Sequence, residues 1–221
     1  MKKILFVLLA IVLCVHFGVM TGHAADLTIK LGHIRDLKHP THLGALKFAE
    51  LVEQGTSGRV VVKVFPNSQL GGIQEMFTQV QTGDLQMVYG GINTFGFIDG
   101  GDAFEITAIP FLYRDYEHMR SSLLADFFKP VIADAEQKTG IKIMNIAGDT
   151  TPRGLTANRP LKTPADFKGL KIRTAASEVV LRSMKKLGAL PQQIPFAELY
   201  MALKTGVVDA QENGVICLLY T

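Results

Sequence analysis

Two arginines and an asparagine carry the polar chemistry that stands out in this chain. Arg153 and Arg173 lie twenty residues apart, and Asn213 follows forty residues after Arg173. Arg173 falls inside a short extended run, Leu170–Thr174, and Arg153 opens another, Arg153–Ala157. A guanidinium presents a planar fork of N–H donors that matches the two oxygens of a carboxylate. A buried charge without a counter-charge is costly, so an arginine in mid-strand needs a reason to be there. The pattern points to Arg173 as the anchor for the carboxylate of a small ligand that is captured and released unchanged. On the residues alone, a structural bridge from Arg173 to Asp166 or Glu198 is an equally good account.

The elements that must position these residues alternate between extended and helical periods. Leu27–Leu31 alternates apolar and polar residues and predicts the first strand. Pro40 opens a helix with Ala45, Phe48, Ala49 and Val52 on one face. Arg59–Phe65 is a β-branched run that predicts a buried strand. A helix then carries Ile73, Met76, Phe77 and Val80 inward, and Leu85–Tyr89 is a further strand. Strand-helix-strand order predicts a parallel sheet, whose ligands bind outside the carboxyl ends of the strands. The loops His33–Thr41, Asn67–Gly72 and Gly90–Thr94 form one candidate rim. Asp115–Gln137 is expected as one long helix broken only at Pro130, and Ile141–Ile146 as a strand. The alternation restarts with strands Arg153–Ala157 and Leu170–Thr174, around a short helix near Thr163–Lys168. Helix Glu178–Leu187, extended Ala189–Ile194, helix Phe196–Lys204 and strand Val207–Glu212 follow. The last helix is expected to turn Phe196, Leu199, Tyr200 and Leu203 to one face. Helix, Thr-Gly stop and strand occur twice, around Gly83 and Gly206, as in two lobes of related build.

Several polar residues have plain structural alternatives. His33 ends the first strand, where it can face a cleft. His39 and His42 have a spacing that allows a metal, but no third ligand follows at a useful period, so both read as solvated loop residues. Glu75 in a first helical turn is welcome there for the helix dipole alone. The hydrolase elbow, the zinc-protease helix, the phosphate loop and the dinucleotide fingerprint are absent, and no cofactor or metal is expected.

Composition narrows the class. Lys2 and Lys3, the uncharged run Ile4–Val15, and Gly22 and Ala24 before a cut predict a signal peptide over residues 1–24. Removing Lys2 and Lys3 from the 23 basic residues leaves 21 against 20 acidic ones, a net charge of about +1. That balance argues against nucleic acid and anionic membrane surfaces as partners. Of the two cysteines only Cys217 remains after cleavage, so no internal disulfide is expected. An exported chain without one suits a bacterial periplasm. Lobe I is expected over residues 25–150 and lobe II over 151–221. A second lobe of about 70 residues is thin for an independent core, so it is read as incomplete.

The motifs P-x-D-F-K-G-L-K-I-R (Pro164–Arg173), L-G-A-L-P (Leu187–Pro191), P-F-A-E-L-Y through Q-E-N (Pro195–Asn213) and F-P-N-S-Q-L-G-G (Phe65–Gly72) carry a resemblance. They resemble the solute-binding proteins of tripartite ATP-independent periplasmic (TRAP) transporters over the whole mature chain. The resemblance implies an α/β fold of two lobes closing as a clamshell, each a mainly parallel sheet flanked by helices. It implies capture of an organic acid in the periplasm and delivery to the TRAP permease in the membrane, without insertion of the mature chain. It implies Arg173 on the ligand carboxylate, Arg153 as a second ligand-contacting arginine and Asn213 also reaching the carboxylate. Glu75 falls where lobe I often meets the distal part of the ligand. Two departures stand out: Thr174–Ser177 where the family commonly has Pro, and Gly214 where it favours Pro. Small polar residues after Arg173 suit a hydroxylated monocarboxylate such as a sugar acid, ahead of a dicarboxylate. A periplasmic sensor presenting its ligand to a membrane receptor is the alternative, and an exported enzyme using His33 with acidic groups is a third reading.

Overall fold

The computed structural model describes residues 25–146 and 152–218. The signal segment 1–24 and the lobe boundary at 150/151 lie outside the described residues. In lobe I, β1 (Leu27–Gly32) is flanked in parallel by β2 (Val60–Phe65) and β3 (Met87–Val88), in the order β2-β1-β3. Helix α1 (Pro40–Gly55) links β1 to β2, and α2 (Ile73–Thr82) links β2 to β3. Pro40 sits in the first turn of α1, where its missing N–H leaves nothing unsatisfied. The predicted faces hold: Ala45 is buried, with Phe48, Ala49 and Val52 packed beside Leu31 and Val62. Met76 and Phe77 are buried on α2. Gly83 closes α2 at φ +84°, and Gly206 takes φ +73° at the corresponding stop in lobe II.

A second core in lobe I is aromatic. Phe77, Phe95, Phe104 and Phe128 meet in successive edge-to-face contacts with centroids 5.5, 5.3 and 5.7 Å apart. Helices α3 (Tyr116–Leu124) and α4 (Lys129–Thr139) close over it. These two replace the expected single helix. The break falls at Ala125, in extended backbone, and Pro130 lies in the first turn of α4, where proline starts a helix. The expected strand Ile141–Ile146 is not formed among the described residues. The Ile143 N–H donates to the Glu136 carboxylate at 2.8 Å instead of to a strand ladder.

Lobe II has a four-stranded sheet in the order β4-β7-β5-β6. Strand β5 (Lys171–Thr174) runs parallel to β6 (Leu190–Gln193) and β7 (Ala210–Gly214), and β4 (Arg153–Ala157) pairs antiparallel with β7. Helices α5 (Glu178–Lys186), α6 (Leu199–Lys204) and α7 (Val215–Leu218) complete it. Its core gathers Leu170, Ile172, Val180, Met184, Ala189 and Ala210. The last strand starts at Ala210 rather than Val207, because the Val208 N–H is spent on the Ala202 carbonyl in closing α6. On α6, Leu199 and Ala202 are buried, whereas Tyr200, expected inward, is 56% exposed.

The lobes meet through a shared helix cap. The Glu105 carboxylate in lobe I accepts from Ser177 Oγ at 2.6 Å and from the Val179 N–H at 3.3 Å, at the start of α5. An acid placed there satisfies first-turn donors and complements the helix dipole.

Candidate ligand-binding site

Register assembles the site. Parallel pairing sets Arg173 opposite Gln211, and antiparallel pairing sets Gly154 opposite Asn213 and Arg153 opposite Gly214. Side chains alternate along a strand, so Arg173, Gln211 and Asn213 share one face of the sheet. Glu212 falls on the other face with Arg153, and Arg153 Nε lies 2.6 Å from Glu212 Oε2. The two arginines and Asn213 of the sequence reading thus lie on three adjacent strands, with Arg173 and Asn213 on one face and Arg153 on the other.

Arg173 is the unusual member. It is 4% exposed, and its Nε–H donates to the Ile194 carbonyl at 2.8 Å. Among the described residues no carboxylate lies within 4.0 Å of its guanidinium. The bridging alternative fails accordingly. The Asp166 carboxylate accepts from the Lys162 and Thr163 N–H groups at 2.8 and 2.7 Å, and Glu198 forms no ion pair among the described residues. Burial lowers the Arg173 pKa to about 10; Glu212 pulls it up, while Arg153 and Arg35 push it down further. A buried cation whose surroundings favour loss of charge is relieved by an incoming anion. Beside it, Asn213 is buried with its Oδ1 accepting the Gly214 N–H at 3.0 Å. Thr174 Oγ1 and Glu212 Oε1 are buried without a hydrogen-bond partner among the described residues. Buried orphan atoms of this kind are uncommon and call for an explanation such as a ligand. Thr174 entered the sequence reading only as part of the small polar run after Arg173, and Glu212 was not singled out.

The side chains of His33, His42 and Glu75 make their hydrogen bonds within lobe I. His33 does not face a cleft. It is fully buried, its Nδ1 accepts the Arg35 N–H at 3.2 Å, and its Nε2 lies 3.1 Å from His42 Nδ1. Accepting at Nδ1 puts its proton on Nε2, so both ring nitrogens are spent inside the protein. Burial first, then the nearby His42, His39 and Arg35, lowers its pKa to about 4. His39 and His42 are buried too, not solvated: His39 Nδ1 caps α1 by accepting the Thr41 N–H at 3.1 Å. Among the described residues no group of three or more His, Cys, Asp and Glu side chains is placed to hold a metal ion.

These histidines fix the rim. The Ser68 N–H donates to the His33 carbonyl at 3.2 Å and the Asn67 N–H to the Arg35 carbonyl at 2.9 Å, joining the loops after β1 and β2. Asn67 and Ser68 reach those bonds with φ of +54° and +57°, a conformation that side-chain-bearing residues seldom adopt. Glu75 is exposed, and its carboxylate accepts the Gly72 N–H at 3.3 Å, a local cap of α2. It makes no hydrogen bond or ion pair to Arg153, Arg173 or Asn213. Arg35, which sequence reasoning passed over, reaches lobe II with its guanidinium 5.0 Å from the centre of the Phe196 ring. Its place in the loop after β1 was the only sequence signal for it.

Comparison with known proteins places this geometry. The chain is 38% identical to the C4-dicarboxylate-binding periplasmic protein DctP of Rhodobacter capsulatus over 86% of its length and 56% of that protein's. It is 35% identical to the 2,3-diketo-L-gulonate-binding periplasmic protein YiaO of Escherichia coli, covering 88% of this chain and 58% of that one. The crystal structure of a TRAP periplasmic solute-binding protein from Roseobacter denitrificans with bound L-galactonate superposes with a TM-score of 0.79 at 30% identity, covering 86% and 62% of the two chains. This chain therefore spans less than two thirds of the length of these relatives. The model of the bacterial extracellular solute-binding proteins, family 7, matches residues 31–220. On that match, with the two-lobed α/β fold described above, the chain belongs to family 7 of the bacterial extracellular solute-binding proteins, the solute-binding proteins of TRAP transporters.

Proposed function

We propose that the protein captures an organic acid, a sugar acid or a dicarboxylate, in the periplasm and delivers it unchanged to a TRAP permease. Residues 1–24 act as the export signal, and the mature chain works beside the membrane rather than in it; no helix among the described residues is long and apolar enough to cross one. Arg173 holds the ligand carboxylate through its fork, and Asn213 completes the contact from β7. Arg153, positioned by Glu212, adds positive charge, and Glu75 reads a hydroxyl or other polar group from lobe I. Closure follows because both lobes contribute contacts, so ligand selects the closed state. The observation that carries this reading is a buried guanidinium in mid-strand with no carboxylate within 4.0 Å among the described residues.

The test is a thermal-shift screen of the whole mature protein against sugar acids and dicarboxylates. A ligand that binds only the folded state at a hundred times its Kd stabilises it by about 2.7 kcal/mol. The expected result is a rise in Tm with one class of acid that disappears in Arg173→Met. A folded, ligand-free protein that shows no shift with any acid overturns the proposal.

A further inference from the structure

We infer that Glu105 is a positioning residue of this site: through Ser177 it ties the strand that carries Arg173 to lobe I and sets how the lobes close on a carboxylate. The inference rests on the proposed function and deepens it by naming a residue that controls closure. Glu105 lies in the short helical segment Asp102–Ala108, which is fastened to both lobes. Phe104 is buried in the aromatic core of lobe I, and Ala108 packs against the core of lobe II. From between them Glu105 reaches the first turn of α5, where its Oε2 accepts from Ser177 Oγ at 2.6 Å and from the Val179 N–H at 3.3 Å. Ser177 Oγ in turn accepts the Val180 N–H at 3.3 Å, so one hydroxyl caps the helix and passes the hold to lobe I.

The surroundings are built for this contact. A Cβ at Gly96 would meet Glu105 Cγ at 2.9 Å and the Glu105 backbone N at 3.0 Å, so the bare glycine is what lets the two segments approach. Ser177 is fully buried, and a hydroxyl there needs its partner. On the lobe II side, β5 leads from Arg173 through Thr174, Ala175 and Ala176 to Ser177, with no proline to fix the turn by its own φ. The turn is fixed at its ends instead. The Thr174 carbonyl accepts the Ile194 N–H at 3.3 Å, and the Ile194 carbonyl accepts from Arg173 Nε at 2.8 Å. The other end is held by Glu105 alone from across the lobe boundary. Any rotation of lobe II against lobe I must pivot on that contact or break it, and Arg173 sits four residues away. A fixed pivot next to the anchor limits the arrangements the ligand-free lobes can take. Freeing it adds open arrangements that a bound acid must give up, which lowers affinity without removing a ligand contact.

The test is calorimetric titration of the whole mature protein with L-galactonate or succinate, whichever gives the larger thermal shift. Performed well below the unfolding temperature, it reads the affinity of the folded protein and is not moved by a change in global stability. Glu105→Ala is expected to lower affinity by about tenfold. Ser177→Ala should lower it by a smaller factor, since the Val179 N–H still reaches Glu105, and the double variant should lose no more than Glu105→Ala, because the two residues act through one contact. Glu105→Gln keeps an acceptor oxygen for both donors and should stay within about threefold of the wild type, which gives a reading even if Glu105→Ala folds poorly. Affinity within about twofold of the wild type in Glu105→Ala, or losses that multiply in the double variant, overturns the inference while leaving the proposed function standing. Wild-type protein, folded and ligand-free, that binds neither acid nor any other of the screen overturns the proposed function itself.

Discussion

Arg173 in lobe II and His33 in lobe I are both buried bases at a sheet, and burial is the largest cause of lowered basicity in each. They differ in where their polar atoms go. Both His33 nitrogens are used within the protein, by the Arg35 N–H and by His42. Arg173 has a backbone carbonyl on Nε and, among the described residues, no carboxylate within reach. A buried polar group that is satisfied internally builds structure, and one that is left short of a counter-charge is a receptor for it. On the proposed function, this difference separates a scaffold residue, His33, from a binding residue, Arg173, where burial alone does not.

The largest effect expected from this contrast is on ligand affinity. Breaking a buried charge pair by removing one partner costs about 3–5 kcal/mol, so Arg173→Met should weaken acid binding by roughly a hundredfold to a few thousandfold in calorimetry. Its stability without ligand should fall little or rise, since a buried charge has been removed.

His33 should behave in the opposite way. Its pKa is about 4 folded against an ordinary value of 6.5, so between those values the unfolded chain takes up a proton that the folded chain refuses. The stabilisation is complete above pH 6.5 and is lost as pH falls toward 4. That gap corresponds to about 3 kcal/mol. Denaturant unfolding across this range should show the loss, and His33→Asn, which keeps an acceptor for the Arg35 N–H, should flatten it. A flat wild-type profile would remove the distinction between the two residues.

Arg153 lies between these cases, half-exposed but paired with a buried carboxylate. Arg153→Met leaves Glu212 without its 2.6 Å partner and should cost about 1–2 kcal/mol of stability, discounted for solvent on the arginine side, and also lower affinity. Glu105→Ala removes the acceptor shared by Ser177 and Val179 and should cost about 1 kcal/mol, read in chemical denaturation. Glu75 gives the smallest effect. Glu75→Gln should weaken binding of a hydroxylated acid by roughly three- to tenfold, as expected for one lost hydrogen bond, with little change in Tm.

Much of the fold was legible because periodicity reports burial. Phe48 and Val52 on α1, and Met76 and Phe77 on α2, pack as their spacing predicts. The misreadings share a cause, which is that local pattern does not say where a backbone donor will go. The apolar run Ile141–Ile146 looks like a strand until the Ile143 N–H is seen on Glu136. The dip at Ala125 carries no proline, so it was invisible, while Pro130 drew attention to a place where nothing breaks. At the site, Arg173, Arg153 and Asn213 were singled out through their motifs, and strand register sets Arg173 and Asn213 on one face of adjacent strands with Arg153 on the other. His33 was misplaced because a histidine at a strand end gives no sign of a partner nine residues on. Arg35 was missed because its contact is with Phe196, far away in the chain.

The most direct test of the central claim is a calorimetric titration of the whole mature protein and its Arg173→Met variant, using the acid that gives the largest thermal shift. The account predicts saturable binding in the wild type and a loss of about a hundredfold or more in the variant, with the ligand-free variant unfolding within about 1 kcal/mol of the wild type. An Arg173→Met protein that still binds the acid within about tenfold of the wild type would contradict it.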